Sequence, residues 1–251
     1  ILARFPPLYS LLVSSVVTTS AYTIEDQRRM AKARNYFAWQ ARLVMPELGA
    51  RVLEAGCGTG NFSRWLVDRT AVMGIDSDEV CISRWRERYA GRTNLEARVC
   101  DLDSPEFQEL SRFRADSCVC LNVLEHVERD EQALRAMASV LQPAGTIVLL
   151  VPAFPTLAGP IDARLGHHRR YTRRSLTRVA EAAGLRAEKL RYVNFVGFFG
   201  WWANSHIFRR QAQSELQITI FDRAIVPWLS RLEHWIAPPF GQSLFAVLRK
   251  P

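Results

Sequence analysis

The segment Arg51-Val52-Leu53-Glu54-Ala55-Gly56-Cys57-Gly58-Thr59-Gly60-Asn61-Phe62 constrains the fold more than any other part of the chain. An apolar, β-prone run leads into glycines at alternate positions. A helix is expected from about Asn61, with Phe62, Trp65 and Leu66 as its buried stripe. Glycine permits a sharp bend and leaves no side chain over it, so a ligand can lie against bare main chain. Glu54 stands where the strand should end. A strand–turn–helix unit of this kind belongs in an open α/β sheet that binds its ligand at the carboxyl ends of the strands.

The remaining sequence alternates as such a sheet requires. Strands are predicted over Val52–Ala55, Ala71–Ile75, Leu95–Cys100, Ser117–Leu121, Thr146–Val151, Arg186–Val193 and Ser243–Leu248. Helices are predicted over 25–45, Ile82–Tyr89, Asp130–Leu141 and from the N-cap Thr172 to Gly184, with a long loop between Pro152 and Thr172. The unbroken apolar run Thr146–Val151 suits a strand buried on both faces of a parallel sheet. The expected fold is a Rossmann-like, doubly wound, seven-stranded, mostly parallel sheet. An N-terminal helical segment covers 1–45, the main domain 46–251, and a helical lid is inserted at about 195–240. The lid opens with the aromatic run Phe195-Val196-Gly197-Phe198-Phe199-Gly200-Trp201-Trp202. It continues with Ile218, Phe221, Ile225, Trp228, Leu232 and Trp235, a narrow apolar stripe on a helix kinked near Pro227.

Composition adds boundaries. At 251 residues, 48% hydrophobic and 23% charged, the chain can bury a full core. Its five dispersed cysteines form no metal-like pair and point to a reducing, cytoplasmic setting. The net charge of +8 is carried almost wholly by arginine and is compatible with an anionic membrane, a nucleic acid or a phosphorylated partner. The apolar stretch Leu8–Val17 is too short to span a bilayer and lacks the pattern of a secretory leader.

The glycine pattern separates two cofactor classes. Dinucleotide sites want G-x-G-x-x-G, but Asn61 stands where the third glycine would fall. A carboxylate before the turn suits a cation better than a pyrophosphate. The residues Glu54 to Gly60 resemble the first motif of class I S-adenosylmethionine-dependent methyltransferases. Further matches follow in order. Asp76, 20 residues after Gly56, ends strand two in Gly74-Ile75-Asp76-Ser77-Asp78, where a carboxylate accepts ribose hydroxyls. Cys100-Asp101-Leu102 resembles the family's adenine-binding position. Asn122-Val123-Leu124-Glu125-His126-Val127 is similar to the segment lining the cofactor after strand four. Leu141-Gln142-Pro143-Ala144-Gly145 resembles the turn before strand five. The resemblance implies S-adenosylmethionine as cofactor, held by Glu54, Ala55, Gly56, Cys57, Gly58, Asn61, Asp76, Ser77, Asp101, Leu102, Asn122 and Val123.

Within the family, Asn122-Val123-Leu124-Glu125 departs from the motif of DNA amino-methylating enzymes. Cys118 and Cys120 lie inside a strand, unlike a cytosine C5 nucleophile. No metal set is expected. The chain most resembles the bacterial small-molecule group near ubiquinone-type O-methyltransferases, which shares the segment Asp162-x-x-x-Gly166-His167-His168-Arg169-Arg170-Tyr171. His167 or His168 is the expected base, with Tyr171 or Asp162 orienting the acceptor or the loop. His126 is expected to be structural, and His206 and Asn204 to serve packing. The acceptor is expected to be apolar, and the aromatic insertion to be a lid over it or a peripheral contact with the inner membrane. Nucleic acid is the less favoured partner. RNA or protein methylation and a non-catalytic cofactor-binding subunit are the alternatives.

Overall fold

The computed structural model describes residues 24–210 and 212–251, so the expectation for Leu8–Val17 lies outside the described residues. Seven strands form one sheet: β1 (Arg51–Ala55), β2 (Ala71–Asp76), β3 (Leu95–Val99), β4 (Ala115–Leu121), β5 (Leu141–Pro152), β6 (Arg186–Val193) and β7 (Ser243–Arg249). Their order is β3-β2-β1-β4-β5-β7-β6. β1 to β5 pair in parallel, and β7 runs antiparallel between β5 and β6. The expected doubly wound, mostly parallel sheet is therefore the observed one.

The apolar runs explain the layering. Successive strand residues point to opposite faces, and both faces are covered. In β1, Leu53 and Ala55 enter one apolar cluster and Val52 the other; in β5, Ile147, Leu149 and Val151 oppose Val148 and Leu150. The polar ends of β1, β2, β3 and β4 consequently converge at one edge, where strand order reverses between β1 and β4.

Four segments differ from expectation. After the glycine turn only a short 3₁₀ turn, Ser63–Trp65, forms in place of a helix. Trp65, Leu66 and Arg69 each donate to the carbonyl three residues back, and β2 begins at Ala71, which leaves no length for a regular helix. A nine-residue 3₁₀ run, Pro105–Phe113, fills the unassigned stretch before β4. The loop after β5 contains a short helix, Pro160–Leu165, ended by Gly166 in the left-handed region. The helix expected over 25–45 is interrupted around Ala33: residues 24–30 are helical, and a second helix spans Arg34–Val44.

The insertion consists of helices Phe195–Trp202, Glu215–Ile220 and Val226–Trp235, linked by π-helical turns. Its expected apolar stripe does not form one buried seam. Ile218, Phe221 and Ile225 face a cavity, whereas Trp228, Leu232 and Trp235 are exposed. The buried positions of the last helix are Val226, Leu229, Ser230 and Glu233. Polar Ser230 and Glu233 face inward because they make bonds there: Ser230 accepts from Arg42, and Glu233 accepts from the backbone of Asn194 and Phe195.

Candidate active site

The glycine turn is built by close approach. The N–H groups of Gly56 and Cys57 both donate to the Ile75 carbonyl, at 2.8 and 2.9 Å, which presses the turn onto the end of β2. Gly56, Gly58 and Gly60 have φ of 71°, 53° and 81°, in the left-handed region. A Cβ on Gly56 would lie 2.2 Å from a Val123 methyl, so the turn and the segment after β4 are in direct contact. Asp76 fastens the turn from the other side. Its carboxylate accepts from Gly58 N at 2.9 Å and from Asp78 N at 3.0 Å. Burial pushes the Asp76 carboxyl up, against these two bonds, which favour the anion.

Gly56, Gly58, Asp76, Asn122 and Val123 thus come together at the switch point. Asn122 itself adopts φ of 54° and donates its N–H to Leu150 O. Ser77 and Asp101 stand exposed at the neighbouring strand ends, while Ala55, Cys57 and Leu102 are buried. The Cys57 side chain packs into the apolar core and its thiol is pushed up by burial, so this residue offers the turn only main chain. Glu54 is turned beneath the turn. It accepts a hydrogen bond from Ser63 Oγ, which in turn accepts from Trp85 Nε1 at 2.7 Å. Burial pushes Glu54 up to about 8. Asn61 holds helical segment 24–30 over the turn: its amide donates to Gln27 O, and Gln27 Oε1 accepts from Thr59 N at 2.7 Å. Gln27 had no distinguishing signal in the sequence, because nothing local links it to residues 32 and 34 positions away.

Asn122 also borders a cavity of about 610 Å³. Its walls come mainly from the N-terminal helices (Asp26, Met30, Tyr36), the turn after β4 (Glu125, His126), the loop after β5 (His167, Arg170) and the insertion (Trp201, Phe221), with Pro152 and Ser243 from the ends of β5 and β7. His167 is the better placed of the two expected bases. Its Nδ1 lies 2.9 Å from Asp162 Oδ1. Asp162 accepts as well from Arg170 Nε at 2.7 Å, Gly159 N at 3.1 Å and Trp201 Nε1 at 3.2 Å. Burial alone would raise Asp162, but the His167 bond and the Arg170 charge outweigh it and hold the carboxyl at about 2. An ionised carboxylate only accepts, so Nδ1 of His167 carries the hydrogen and Nε2 is the ring nitrogen left for the cavity.

His168 is exposed and outside the cavity; its backbone N–H donates to Glu125 O at 2.8 Å, which ties the two loops together. Tyr171 is 1% exposed, and its hydroxyl donates to Asp130 at 2.9 Å behind the cavity wall, so it orients the loop rather than an acceptor. His126, expected to be structural, lines the cavity edge-on to His167 with ring centroids 4.6 Å apart. Burial and then the neighbouring His167 drive it down to about 4. Glu125 is buried beside them, and burial pushes it up to about 8. Asn204 also lines the cavity, whereas His206 is exposed and stacked on Trp202.

The sequence profile described as "Methyltransferase domain" matches residues 22–190, which include the glycine turn, the ends of β2 to β4 and the His167 loop. The chain belongs to the methyltransferase domain family. Curated relatives include the ubiquinone biosynthesis O-methyltransferase of Aeromonas salmonicida, 26% identical over 161 residues (59% of this chain and 67% of the relative). That of Alkalilimnicola ehrlichii is 30% identical over 101 residues, 40% of each chain, so the alignment spans well under two thirds of this relative's length. Among solved structures, an S-adenosylmethionine dependent methyltransferase from Mesorhizobium loti aligns with a TM-score of 0.56 at 18% identity, covering 84% of this chain and 96% of that one. Geranyl diphosphate C-methyltransferase from Streptomyces coelicolor, solved with S-adenosyl-L-homocysteine, aligns at 0.54 and 18% identity, covering 84% and 75%. These two share the fold.

The methyltransferase domain uses S-adenosylmethionine, and its residues fit that cofactor. Gly56 and Gly58, which carry no side chain, the Asp76 carboxylate and the exposed Asp101 occupy adjoining strand ends, with the Gln27 side chain packed against Gly58.

Proposed function

We propose that the domain methylates an oxygen of a small apolar acceptor bound in the cavity beside Asn122, and that it works at a membrane surface. S-adenosylmethionine supplies an electrophilic methyl carbon on a sulfonium. The chain's own residues orient the acceptor, exclude water and take the acceptor's proton. The observation that carries this reading is the Asp162–His167 pair: an imidazole oriented through Nδ1 presents its Nε2 at the cavity wall. When Nε2 accepts a hydroxyl proton, the adjacent Asp162 carboxylate stabilises the imidazolium. His126 and Glu125 border the same spot. Aromatic and aliphatic groups such as Trp201, Phe221 and Ile218 make the remaining wall apolar. The alignment to O-methyltransferases supports oxygen as the accepting atom.

The membrane part rests on exposure. Among the described residues, the large apolar side chains standing exposed, apart from Val80 and Val99, all fall in the insertion. Exposed Arg209, Arg210, Arg223 and Arg231 accompany them. No helix of the described residues is long and apolar enough to cross a bilayer.

The test is turnover with labelled S-adenosylmethionine and a panel of hydroxylated aromatic or prenylated acceptors. His167→Ala should lower kcat by roughly 10²–10⁴-fold, the usual contribution of a positioned base, with cofactor affinity unchanged. His168→Ala should leave both unaffected. Full activity in the His167 variant, or methyl transfer confined to nitrogen acceptors, would reject the reading.

A further inference from the structure

Asp162 is held more completely than a loop carboxylate needs to be. A carboxylate offers about four acceptor positions, and four donors meet this one, which is 4% exposed. His167 Nδ1 and Arg170 Nε approach Oδ1, at 2.9 and 2.7 Å. Gly159 N and Trp201 Nε1 donate to Oδ2, at 3.1 and 3.2 Å. Gly159, His167 and Arg170 are neighbours in sequence, three, five and eight residues away. Trp201 is 39 residues away and belongs to the insertion.

The insertion is shaped to deliver that indole. Residues four apart share one side of a helix, and two such pairs occur in succession. The inner pair grips the loop after β5. Trp201 reaches Asp162, and Ser205 Oγ donates to Leu157 O at 3.1 Å, so close in that a Cβ on Gly159 would collide with Ser205. The outer pair, Trp202 stacked on His206, is exposed. A π-helical turn, Ala203–Ile207, carries the second member of each pair; such turns recur at functional sites. The Trp201 ring is fixed as well. The Arg170 guanidinium lies 4.9 Å from its centroid, and Leu157 and Ile161 pack with it. Arg170, Asp162 and Trp201 thus form a closed cycle of contacts, and Trp201 and His167 both line the cavity.

We infer that Trp201 is a positioning residue for His167: its indole N–H keeps the Asp162 carboxylate from turning, and so aims the imidazole into the cavity. The same ring walls the space where an acceptor would lie. One residue of the insertion therefore sets both the acceptor's wall and the direction of the imidazole. Without the indole N–H, Oδ2 keeps only the Gly159 donor, and one buried acceptor position is left unmet. The carboxylate then rotates more freely between His167 and Arg170. The use of His167 as base rests on the oxygen-methylation reading above; the seating of Asp162 by Trp201 does not.

The experiment separates the donor from the ring. Benzothienylalanine placed at position 201 alone has the shape of tryptophan and lacks the N–H; Trp201→Phe is the genetic counterpart. Calorimetric affinity for S-adenosylmethionine should stay unchanged in both, which reports that they are folded. The first readout is the ring-nitrogen NMR shifts of His167 in cofactor-free, histidine-labelled protein, assigned by their loss in His167→Ala. The Nδ1 shift should move in both position-201 variants and stay in place in Trp202→Phe, whose ring is on the outer side. The second readout is turnover of a hydroxylated aromatic acceptor. With benzothienylalanine, kcat should fall roughly 10–100-fold, the worth of one hydrogen bond to a charged group, at unchanged KM for the acceptor. Trp201→Ala should raise that KM as well, because the wall is gone. An Nδ1 shift that stays in place with benzothienylalanine overturns the inference, whatever turnover does. A moved shift with undiminished kcat keeps the seating of Asp162 by Trp201 and removes His167 as the base.

Discussion

At the scale of single residues, the cofactor cradle depends on what is missing from Gly56 and on what is buried under it. Gly56 combines a φ of 71° with a Val123 methyl where its Cβ would be. Gly56→Ala therefore meets a backbone penalty of roughly 1–2 kcal/mol and a steric one. It should lower stability in denaturant titration and weaken S-adenosylmethionine binding at least tenfold. Adding Val123→Ala should restore part of the stability, because only the steric share depends on that methyl. Equal losses in the single and double variants would show that the contact is irrelevant. Glu54 makes a pH prediction. Burial raises its carboxyl from 4.5 to about 8, so the folded state holds the proton more tightly than the unfolded state does. Its contribution is complete below 4.5 and declines as pH rises to about 8, by roughly 1.4 kcal/mol per unit. Glu54→Gln has no such decline. The melting temperature of the cofactor-free variant should gain on the parent steadily from pH 5 to pH 8; a constant difference would mean that Glu54 is not held neutral.

At the scale of elements, two helices take their N-terminal caps from distant carboxylates. Helix Arg34–Val44 has no side-chain cap of its own at Ala33. Asp222, 4% exposed in the insertion, supplies one: it accepts from Tyr36 N at 2.8 Å and from the Asn35 amide at 3.2 Å. Glu233 adds to the Asn194 side-chain cap of helix Phe195–Trp202 by accepting from the N–H groups of Asn194 and Phe195. An anion at a helix N-terminus satisfies free donors and opposes the dipole. Asp222→Ala should cost about 0.5–2 kcal/mol, the range for a lost cap, and should speed hydrogen exchange over 34–44 while β1 and β4 stay protected. Unchanged exchange there would mean that the insertion does not hold the N-terminal helix. These links also mark where sequence reasoning stopped. The sheet was legible because apolar runs and glycine spacing are local signals, and Asp162 with His167 because five residues separate them. Gln27 over Thr59 and Asp222 over Tyr36 were not, since tertiary folding alone joins them. The closeness of His126 to His167 was hidden for the same reason: His167 arrives from the loop after β5. The apolar stripe of the last helix misled because its outer residues look like core residues in composition, and only their exposure separates them.

At the scale of the molecule, the parts that are least alike meet at the cavity. The sheet supplies a rigid edge, and the insertion supplies a roof with apolar residues on both sides. Phe221 and Ile225 line the cavity, while Trp228, Leu232, Trp235 and Ile236 face outward. An apolar acceptor is scarce in water and concentrated in a bilayer, so a roof that rests on lipid would bring the cavity close to its supply. Trp235 is 84% exposed and Trp228 48%, with exposed Arg223 and Arg231 in the same stretch, a composition suited to an anionic interface. Burying a large apolar side chain is worth roughly 1.5–3 kcal/mol. Replacing both tryptophans with serine should therefore weaken co-sedimentation with phosphatidylglycerol vesicles at least about tenfold. Replacing Arg223 and Arg231 with glutamine should lower binding mainly at low salt, because screening already weakens their attraction at high salt. Neither tryptophan lines the cavity, so turnover of a water-soluble acceptor should be untouched in the tryptophan variant, and only turnover of a vesicle-embedded acceptor should fall. Equal loss on both acceptors would mean that the tryptophans support the roof instead of meeting a membrane.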